Sequence, residues 1–409
     1  RYSMINFTIF SVQIMLFQVN LTDTLISISG ANYYLLMKNT LVFRNKPGNI
    51  LEFSYFIQID DFFQVIVRRK LEIIQSSIHS NLSITTNEIS SFLDIDVGNI
   101  YAVINNCKFY DLQNVMTFVP LQPVAVYTGI NFVFVLSNSL IIHSKLIPIY
   151  SAIRITILDQ KMLLVKADIK IINCQFSNLS ADEGAGIFIH ADNYVGYKNS
   201  TINLLISKSM FINNIAYRSG GSIQIGERIF TNMEHCVFFY NDSISQDMLS
   251  LKGFFVITLD KVVISNCSFS LASAIDLFSP ILLSSNSLVK FDGKFICPQW
   301  LYLDFRYTVV DSGVLKAVSL SCKVCPNSMY SVHSAIKISH ASSINETTVL
   351  NSIRLGKSSC IQCPFGTECL GGILKVKSGF WGIKSGSITK FYQCPDGYCC
   401  GKGKLSCSK

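Results

Sequence analysis

The chain has 409 residues, of which 49% are hydrophobic, 12% aromatic and only 15% charged. About a quarter of the residues in a soluble domain are usually charged, so this composition excludes a disordered chain and, with its many Ile, Val, Phe, Ser and Asn residues, favours stacked β-strands over long helices. The formal net charge is +8, but the 34 basic residues are scattered, so the charge does not predict nucleic-acid binding.

The N-terminal residues do not predict a targeting segment. The apolar stretch at residues 4–19 lacks a basic n-region and contains Asn6, Gln13 and Gln18, which is not the pattern of a signal peptide. Residues 112–144 form the longest stretch without Asp, Glu, Lys or Arg, and they include two prolines and a glycine. This stretch therefore predicts strands and turns, not a spanning helix. We expect any membrane attachment to come from a segment outside this chain.

Four cysteines before residue 296 share one local pattern, in which Asn or His precedes the cysteine and Phe follows two positions later. The copies are Asn106-Cys107-Lys108-Phe109, Asn173-Cys174-Gln175-Phe176, His235-Cys236-Val237-Phe238 and Asn266-Cys267-Ser268-Phe269. Degenerate copies end at Ile141 and Phe211, so the six copies recur every 27 to 35 residues. A repeat of this length predicts a solenoid or a propeller, in which each unit buries its apolar face against its neighbours.

The residues between the copies predict β-strands. In residues 165–171, apolar residues alternate with Lys166, Asp168 and Lys170, which is the period of a strand with one buried face and one solvated face. The variable repeat length favours a parallel β-helix over a propeller, because a coil tolerates insertions at its turns. We expect the asparagine and aromatic positions to stack as inward ladders. The glycine segments at residues 184–187 and 220–223 predict tight turns or close backbone approach.

The repeated cysteines predict buried, stacked side chains, with reactive thiols as the alternative. Cys236 and Cys267 lie in adjacent copies and are candidates for a bridge. Cys107 and Cys174 are separated by the copy that contains Ser139, which argues against a bridge between them.

Other segments match two short repeat motifs. Phe211-Ile212-Asn213-Asn214 and Phe238-Phe239-Tyr240-Asn241 fit F-x-x-N, and Gly220-Gly221-Ser222-Ile223 fits G-G-A-I with Ser in place of Ala. After Phe176 the asparagine comes one position early, at Asn178. These segments resemble the right-handed, pectin-lyase-like parallel β-helix repeats of polymorphic outer-membrane proteins and of large surface proteins in unicellular eukaryotes. The resemblance covers about residues 100–290; before residue 100 the solenoid is expected only from strand-like composition.

Ten of the 14 cysteines lie at residues 297–407, which predicts a domain boundary near residue 296. Such a density indicates an oxidising compartment, where disulfides stabilise a segment with too small a core. The disulfide candidates are Cys297, Cys322, Cys325, Cys360, Cys363, Cys369, Cys394, Cys399, Cys400 and Cys407. Zinc is the alternative for the two C-x-x-C pairs, but 34 residues separate Cys325 from Cys360, whereas zinc ribbons have about 15–20.

The two C-x-x-C-P units, which begin at Cys322 and Cys360, resemble the ephrin-receptor-like cysteine modules of extracellular receptors. Asn327-Ser328 stands where the first unit would have its glycine step. The order of aromatic residues and cysteines in residues 379–401 is similar to the juxtamembrane region of the same large surface proteins. That resemblance implies an ectodomain that precedes a membrane-spanning part.

Eight N-x-S/T sequons are candidate glycosylation sites. They begin at Asn6, Asn20, Asn81, Asn178, Asn199, Asn241, Asn266 and Asn345. Chance alone gives roughly five sequons in a chain this rich in Asn and Ser, so the prediction of secretion rests on the cysteines.

β-Helices also include polysaccharide lyases and hydrolases, and these enzymes need clustered carboxylates for catalysis. The acidic candidates are Asp60-Asp61, Asp94 with Asp96, and Asp182-Glu183. Since no comparable acidic positions recur in the next coils, a solvated face is the favoured interpretation. The six histidines form no H-x-x-x-H pair, and His190 is interpreted as a strand-edge residue. No catalytic residue, cofactor or metal site is predicted.

The sequence therefore predicts an all-β chain with two parts, a right-handed parallel β-helix at residues 1–296 and a disulfide-rich module at residues 297–409. We expect a non-catalytic ectodomain on the extracellular face of the cell surface, with a structural, adhesive or ligand-binding role towards a protein or a glycan. A polysaccharide-active β-helix enzyme, either a lyase or a glycoside hydrolase, is the alternative, and a signalling receptor ectodomain is a third hypothesis.

Overall fold

The structure is a computed structural model, and its described residues contain strands and no helix. These residues are 5–10, 13–16, 26–29, 33–39, 41–44, 51–54, 69–80, 91–95, 99–112, 114–118, 130–143, 151–157, 165–191, 201–225, 229–239, 242–243, 255–257, 261–270, 281–284, 288–297, 301–310, 315–331, 335–340, 360–370, 373–385 and 388–395. The prediction of an all-β chain is confirmed.

The described strands between residues 5 and 157 belong to five coils, and each coil contains a long strand, a short strand and a return strand. The strands are β1 (Ile5–Phe10), β2 (Gln13–Leu16) and β3 (Ile26–Ser29) in coil 1; β4 (Tyr33–Lys38), β5 (Leu41–Arg44) and β6 (Leu51–Ser54) in coil 2; β7 (Arg69–Ile74), β8 (Ser77–Ser80) and β9 (Ser91–Ile95) in coil 3; β10 (Asn99–Asn105), β11 (Lys108–Tyr110) and β12 (Asn114–Phe118) in coil 4; and β13 (Ile130–Ser137), β14 (Leu140–Ile142) and β15 (Ile153–Ile157) in coil 5.

Residues 165–296 continue the same winding, and coils 6 to 8 have one additional short strand before the return strand. The strands are β16 (Val165–Ile172), β17 (Gln175–Ser177), β18 (Ser180–Glu183) and β19 (Ile187–Ala191) in coil 6; β20 (Thr201–Ser207), β21 (Met210–Ile212), β22 (Ile215–Ser219) and β23 (Ile223–Ile225) in coil 7; β24 (Ile229–Glu234), β25 (Val237–Phe239), β26 (Asp242–Ser243) and β27 (Phe255–Ile257) in coil 8; β28 (Lys261–Ser270) and β29 (Ile281–Ser284) in coil 9; and β30 (Leu288–Ile296) in coil 10.

Corresponding strands of successive coils pair in parallel, so the chain forms a parallel β-solenoid, as predicted. The long strands β1, β4, β7, β10, β13, β16, β20, β24, β28 and β30 stack in this order. The short strands stack beside them, from β2 to β25 and then the end of β28. The return strands form a third stack, from β3 to β29. The right-handed sense stays a prediction.

The copies of the sequence repeat are aligned with one another in the stack of short strands. One position of the stack holds the last residue of every predicted copy, and these residues are Phe109, Ile141, Phe176, Phe211, Phe238 and Phe269. The same position continues through Ile78, Val42 and Ile14 in coils 3 to 1. The solenoid therefore extends to the region before residue 100, where the sequence motif is barely visible.

Aromatic and aliphatic side chains fill the interior of the solenoid. Phe211 is fully buried between Phe176 and Phe238, with ring centroids 4.9 Å apart on each side and ring planes 5° from parallel. In β16, Ala167, Ile169 and Ile171 are buried, as their alternation with charged residues predicts. Burial of each large apolar side chain contributes about 1.5–3 kcal/mol. The predicted inward aromatic ladder is confirmed.

Between the long and the short strand the backbone turns through a residue with positive φ. These corner residues have φ between 49° and 54°, and they are Asn39, Gln75, Asn106, Asn138, Asn173, Lys208 and His235. Asparagine is favoured here because its short polar side chain tolerates the left-handed region. The backbone N–H of Asn173 donates to the Ser207 carbonyl of the next coil at 2.8 Å, so backbone pairing continues through the corner.

The corner asparagines point outward, and the prediction that they form an inward ladder is wrong. Asn106, Asn138 and Asn173 are exposed, because a left-handed residue at a convex corner directs its side chain away from the core. Asn138 and Asn173 nevertheless form a hydrogen-bonded row on the surface with Asn105, the last residue of β10. Asn138 donates from Nδ2 to Oδ1 of Asn105 at 3.0 Å, and Asn173 donates to Oδ1 of Asn138 at 2.8 Å.

The glycine segments form the tight turn that precedes the return strand, as predicted. Gly184 and Gly220 have φ of +53° and +67°. A Cβ atom on Gly186 would lie 2.9 Å from the Ser222 carbonyl oxygen and 3.2 Å from the ring of Phe211. Glycine is therefore required where the backbone of coil 6 approaches coil 7 and the aromatic stack.

Replacing Gly184 by alanine is expected to lower the free energy of unfolding by about 2 kcal/mol. The new Cβ would lie 2.3 Å from the Ile187 carbonyl oxygen, so strain from positive φ is combined with a backbone clash. Gly379→Ala is the matched control, because Gly379 has φ of +84° but no atom within 4 Å of the added Cβ. Chemical denaturation of both variants measures the difference, and equal losses would contradict the importance of the clash.

Antiparallel strands cover the C-terminal end of the solenoid. β31 (Leu301–Val310) and β32 (Leu315–Val324) form a hairpin, and β32 also pairs with β29. β33 (Met329–Tyr330) follows, and β34 (Ala335–His340) pairs antiparallel with β30. Because these strands occupy edges that would otherwise present unpaired N–H and C=O groups, they form a cap.

The remaining described strands form small two-stranded sheets. β35 (Ile361–Gln362) pairs with β33, β36 (Thr367–Leu370) pairs with β37 (Ile373–Val376), and β38 (Phe380–Ser385) pairs with β39 (Ile388–Gln393). β30 ends at Ile296, beside the predicted boundary at residues 296 and 297. Beyond this point β32 and β34 pair with the solenoid strands β29 and β30, so that boundary, as a division between domains, stays a prediction.

Candidate functional site

The outward sides of the long and short strands carry two apolar patches. Patch N belongs to coils 4 and 5, and its partly or fully exposed residues are Tyr101, Val103, Tyr110, Val133, Val135, Leu140 and Ile142. Patch C belongs to coils 7 and 8, and its residues are Leu205, Met210, Ile212, Phe230, Val237 and Phe239. The most exposed are Tyr101 at 43%, Phe230 at 41% and Met210 at 40%. Exposed apolar patches of this kind are typical of interaction surfaces.

Coil 6 separates the two patches with polar side chains. At four positions that are apolar in coil 5 it has Asp168, Lys170, Gln175 and Ser177, and the last three of these positions are also apolar in coil 7. Asp168 and Lys170 form an ion pair at 2.9 Å, with both side chains 40% exposed. Exposed pairs contribute less than about 1 kcal/mol to stability, so the main consequence of this stripe is to divide the face into two patches. Sequence reasoning missed the patches because they appear only when neighbouring coils are aligned.

The outer side of the return strands differs from this face. Arg154 lies over the ring of Phe188, with Cζ 4.9 Å from the centroid. Phe188 is only 6% exposed although its strand position faces outward. The guanidinium therefore covers the ring in a cation–π contact.

The carboxylate candidates do not converge within the described part of the chain. Asp182 is exposed and lies 4.0 Å from Arg218, and Glu183 is half-buried. Asp94 lies in β9, where the register places Glu52 beside it in coil 2 and Thr117 beside it in coil 4. Sequence reasoning missed the neighbouring Glu52. The described residues contain no group of three or more His, Cys, Asp or Glu side chains arranged for a metal ion. Asp60, Asp61 and Asp96 lie outside the described residues.

The histidines occupy dissimilar environments. His143 is buried, and its Nε2 donates to the Leu112 carbonyl oxygen at 2.5 Å. Burial lowers the pKa of His143, while the hydrogen bond to Leu112 and the nearby Asp111 oppose the shift. His190 and His235 are exposed, His79 and His340 lie in β8 and β34, and His333 lies outside the described residues. His143 is therefore a neutral core residue at neutral pH.

Acidification is expected to destabilise the solenoid through His143. Because the folded pKa is below the unfolded value of about 6.5, the unfolded chain binds more protons, and the free energy of unfolding falls as the pH drops below about 6.5. His143→Gln keeps a donor for Leu112 and removes the titration, so its free energy of unfolding should change less between pH 7.5 and pH 5.5. Identical pH profiles for the parent chain and His143→Gln would contradict the role of His143.

Seven of the ten predicted cysteines form disulfides in the described part of the cysteine-rich region. Cys297 bonds to Cys322, Cys325 to Cys360, and Cys363 to Cys369. Cys394 is also disulfide-bonded, whereas Cys399, Cys400 and Cys407 lie outside the described residues. All four cysteines of the two C-x-x-C pairs are in disulfides, which leaves no thiolate there for zinc.

Removal of the Cys297–Cys322 disulfide by two serine substitutions is expected to cost about 3 kcal/mol of stability. This bridge joins the end of β30 to the cap strand β32, and both cysteines are buried. The pair Cys363→Ser and Cys369→Ser is the control, because its residues are only 6 positions apart, compared with 25. The shorter loop should cost about 2 kcal/mol. Thermal unfolding of the two variants checks that loss of Cys297–Cys322 destabilises the protein more than loss of Cys363–Cys369. The same measurement with chelator should give unchanged unfolding temperatures.

The four repeated cysteines are buried thiols in the solenoid wall, as predicted. Burial raises the pKa of Cys107 and of Cys174 to about 11. Since the thiolate is the reactive form, these side chains are unreactive in the folded chain.

The sequons are distributed between described and undescribed regions. Asn6 lies in β1 and Asn266 in β28. Asn178 is a half-buried residue between β17 and β18 with φ of 57°, and its Nδ2 lies 3.4 Å from the His143 carbonyl oxygen. Asn20, Asn81, Asn199, Asn241 and Asn345 lie outside the described residues. Glycosylation stays a prediction for all eight.

No protein-family model matches this chain, and neither the curated proteins nor the solved structures contain a match. Within the described ranges there is no helix that is long and apolar enough to cross a membrane. The fold itself defines the class: a parallel β-solenoid with an antiparallel cap and a disulfide-bonded C-terminal region.

Proposed function

We propose that this chain is a non-catalytic ectodomain on the extracellular face of a cell surface, and that it binds an extracellular protein or glycan through its outer face. The observation that carries the proposal is the pair of apolar patches, N and C, on the outward side of a solenoid. Solenoids bind partners along extended faces because their repeats stack in one dimension. The apolar side chains of such a face become buried when a partner binds, and they would then supply most of the binding energy.

The disulfides support the extracellular part of the proposal. Disulfides persist in oxidising compartments and are rare in the cytosol, and the described C-terminal region contains several. Anchoring would come from a segment outside this chain, and the sequons would then be glycosylated.

The family assignment is part of the same proposal. The F-x-x-N segment at residues 211–214 and the G-G-S-I segment at residues 220–223 support a relationship to right-handed, pectin-lyase-like β-helix repeats of surface proteins. The two C-x-x-C-P units support a relationship to ephrin-receptor-like modules. In this assignment the solenoid is a rigid spacer that presents the outer face.

The binding proposal is tested with the whole secreted chain against purified extracellular polysaccharides and matrix proteins on a biosensor. Met210→Ser, Phe230→Ser and Phe239→Ser together should weaken binding at least about tenfold, which corresponds to about 1.4 kcal/mol. Tyr217→Ser is the control, since Tyr217 is 36% exposed on a different strand stack. Unchanged affinity of the triple variant would contradict the role of patch C.

The enzyme alternative is tested on the same polysaccharides. New reducing ends or unsaturated uronate products, formed by the parent chain, would overturn the non-catalytic role. The register neighbours Glu52 and Asp94 are the first acidic residues to replace in that case.

A further inference from the structure

One position of the solenoid wall forms a row of serines and cysteines. In coils 3 to 8 it is the residue that follows the corner residue, and in coil 9 it is Cys267, which the register places beside Cys236. Neighbouring coils hold Ser76, Cys107, Ser139, Cys174, Ser209, Cys236 and Cys267 there in this order. Serine and cysteine alternate as far as Cys236. Among these described coils, two cysteines are neighbours only at Cys236 and Cys267.

The spacing of the coils decides which cysteines can be bonded. Directly paired residues of adjacent strands are separated by about 4.8 Å, and residues two coils apart by about 9.6 Å. A disulfide requires Cα atoms about 4.4–6.8 Å apart. Cys236 and Cys267 meet this requirement, whereas Cys107 and Cys174, with Ser139 between them, do not.

The two side chains occupy the same wall position in adjacent coils. The neighbouring Cys267 thiol raises the pKa of Cys236. Sγ of Cys267 lies 3.7 Å from the Met233 carbonyl oxygen, in the coil that contains Cys236. Sγ of Cys236 lies 3.4 Å from the carbonyl oxygens of Ile206 and Glu234. A bond between the two sulfurs would replace these weak contacts of the thiols with carbonyl oxygens.

We propose that Cys236 and Cys267 form a disulfide between coils 8 and 9 in the exported protein. The inference rests on the extracellular part of the proposed function, since it requires an oxidising compartment. The oxidant is a donor disulfide, such as that of a dithiol oxidoreductase or oxidised glutathione. One thiolate attacks the donor to form a mixed disulfide, and the second displaces the donor thiolate. In total, two S–H bonds are lost, one Sγ–Sγ bond forms, and the electron pair and two protons convert the donor to two thiols.

The bond forms before coil 9 completes its packing on coil 8. In the folded chain the neighbouring Cys267 thiol and burial both raise the pKa of Cys236, so little thiolate is present to react. During folding the same thiols are accessible to the donor. Once formed, the buried bridge is shielded from reductants, whereas the pair Cys363–Cys369 is not, because Cys363 is partly exposed.

Peptide mapping of the wild-type chain tests the bridge directly. The secreted protein is denatured without reductant, alkylated and digested, so that free thiols carry the label. We expect Cys107 and Cys174 to be labelled, and Cys236 and Cys267 to appear in one cross-linked peptide pair. Labelling of Cys236 and Cys267 while Cys297–Cys322 is intact would overturn the bridge alone. Labelling of Cys297 and Cys322 as well would overturn the oxidising compartment and, with it, the bridge.

A serine variant changes the number of alkylated thiols in opposite directions, depending on whether the Cys236–Cys267 bridge is present or absent. Cys267→Ser releases Cys236 from the bridge, so the number of alkylated thiols should rise by one; without a bridge it would fall by one. Cys174→Ser is the matched control and should lower the number by one. Serine suits this position, because Ser139 Oγ accepts the Cys107 N–H at 3.1 Å and Ser209 Oγ accepts the Cys174 N–H at 3.2 Å. The wild-type map decides the question if the variant is not secreted.

Discussion

Replacement of Phe238 by alanine is expected to lower the free energy of unfolding by about 3–5 kcal/mol. Phe238 is fully buried and stacks on Phe211 at 4.9 Å. The substitution removes the free energy gained by burying the Phe238 ring and leaves a cavity beside Phe211. Neighbouring groups cannot move to fill this cavity, because parallel pairing fixes the backbones of the adjacent coils. The change is measured as the local opening free energy of coils 7 and 8 by native-state hydrogen exchange.

Phe239→Ala is the matched control for this substitution. Phe239 is the next residue of β25, but its side chain points outward and is 38% exposed. Its loss should cost less than about 1 kcal/mol. Since each coil contacts only its neighbours, protection should fall most in coils 7 to 9 of Phe238→Ala and little in coil 4. Equal effects of the two substitutions would contradict the inward and outward assignment of β25.

The repeat and its register could be predicted from the sequence because the same residue types recur at equivalent positions. The frame that ends at Phe109, Phe176 and Phe238 aligns without a shift in the short-strand stack. In coils 1 to 3 the cysteine is absent, and Gln75-Ser76 stands where coils 4, 6 and 9 have Asn-Cys. Strand pairing, which depends on apolar alternation and not on the cysteine, continues there, so a motif search ends earlier than the solenoid.

The recurrence of asparagine in the sequence did not indicate whether its side chains point into the solenoid or out to solvent. A recurring polar residue at one coil position is compatible with an inward ladder or with a turn, and the two differ only in backbone conformation. Asn173 has φ of 54° and is exposed, whereas Asn214, three positions after Phe211, is fully buried. Both belong to repeat motifs, and only the coordinates separate their roles.

The cap, the disulfide partners and the binding face depend on long-range geometry. Nothing in the pattern of β32 indicates that it pairs antiparallel with β29. The Cys297–Cys322 disulfide links the first C-x-x-C unit to the end of the solenoid. The similarity of the two C-x-x-C units does not indicate which cysteines bond to each other. Patches N and C likewise arise from residues that are about 30 positions apart in sequence and adjacent in register.

Replacement of Asn214 by alanine is expected to cost about 4 kcal/mol of stability, although the residue is polar. Asn214 is fully buried; its Oδ1 accepts the Leu179 N–H at 3.0 Å, and its Nδ2 donates to the Phe176 carbonyl oxygen at 3.1 Å. Leu179 stands where the F-x-x-N motif would place an asparagine, so Asn214 satisfies the backbone of coil 6 from coil 7. Alanine removes the side-chain acceptor of the buried Leu179 N–H and the side-chain donor to the Phe176 carbonyl, at about 1–3 kcal/mol for each lost interaction, and leaves a small cavity.

Asn203→Ala separates this effect from a general cost of losing an asparagine. Asn203 is exposed in β20 of the same coil, and its replacement should change the free energy of unfolding by less than about 0.5 kcal/mol. Hydrogen exchange should show the largest loss of protection at the Leu179 amide, because its acceptor is removed. If Asn214→Ala were as stable as Asn203→Ala, the link between coils 6 and 7 would have to rest on backbone pairing and aromatic stacking alone. Asn214 would then be a tolerated residue and not the reason for the motif.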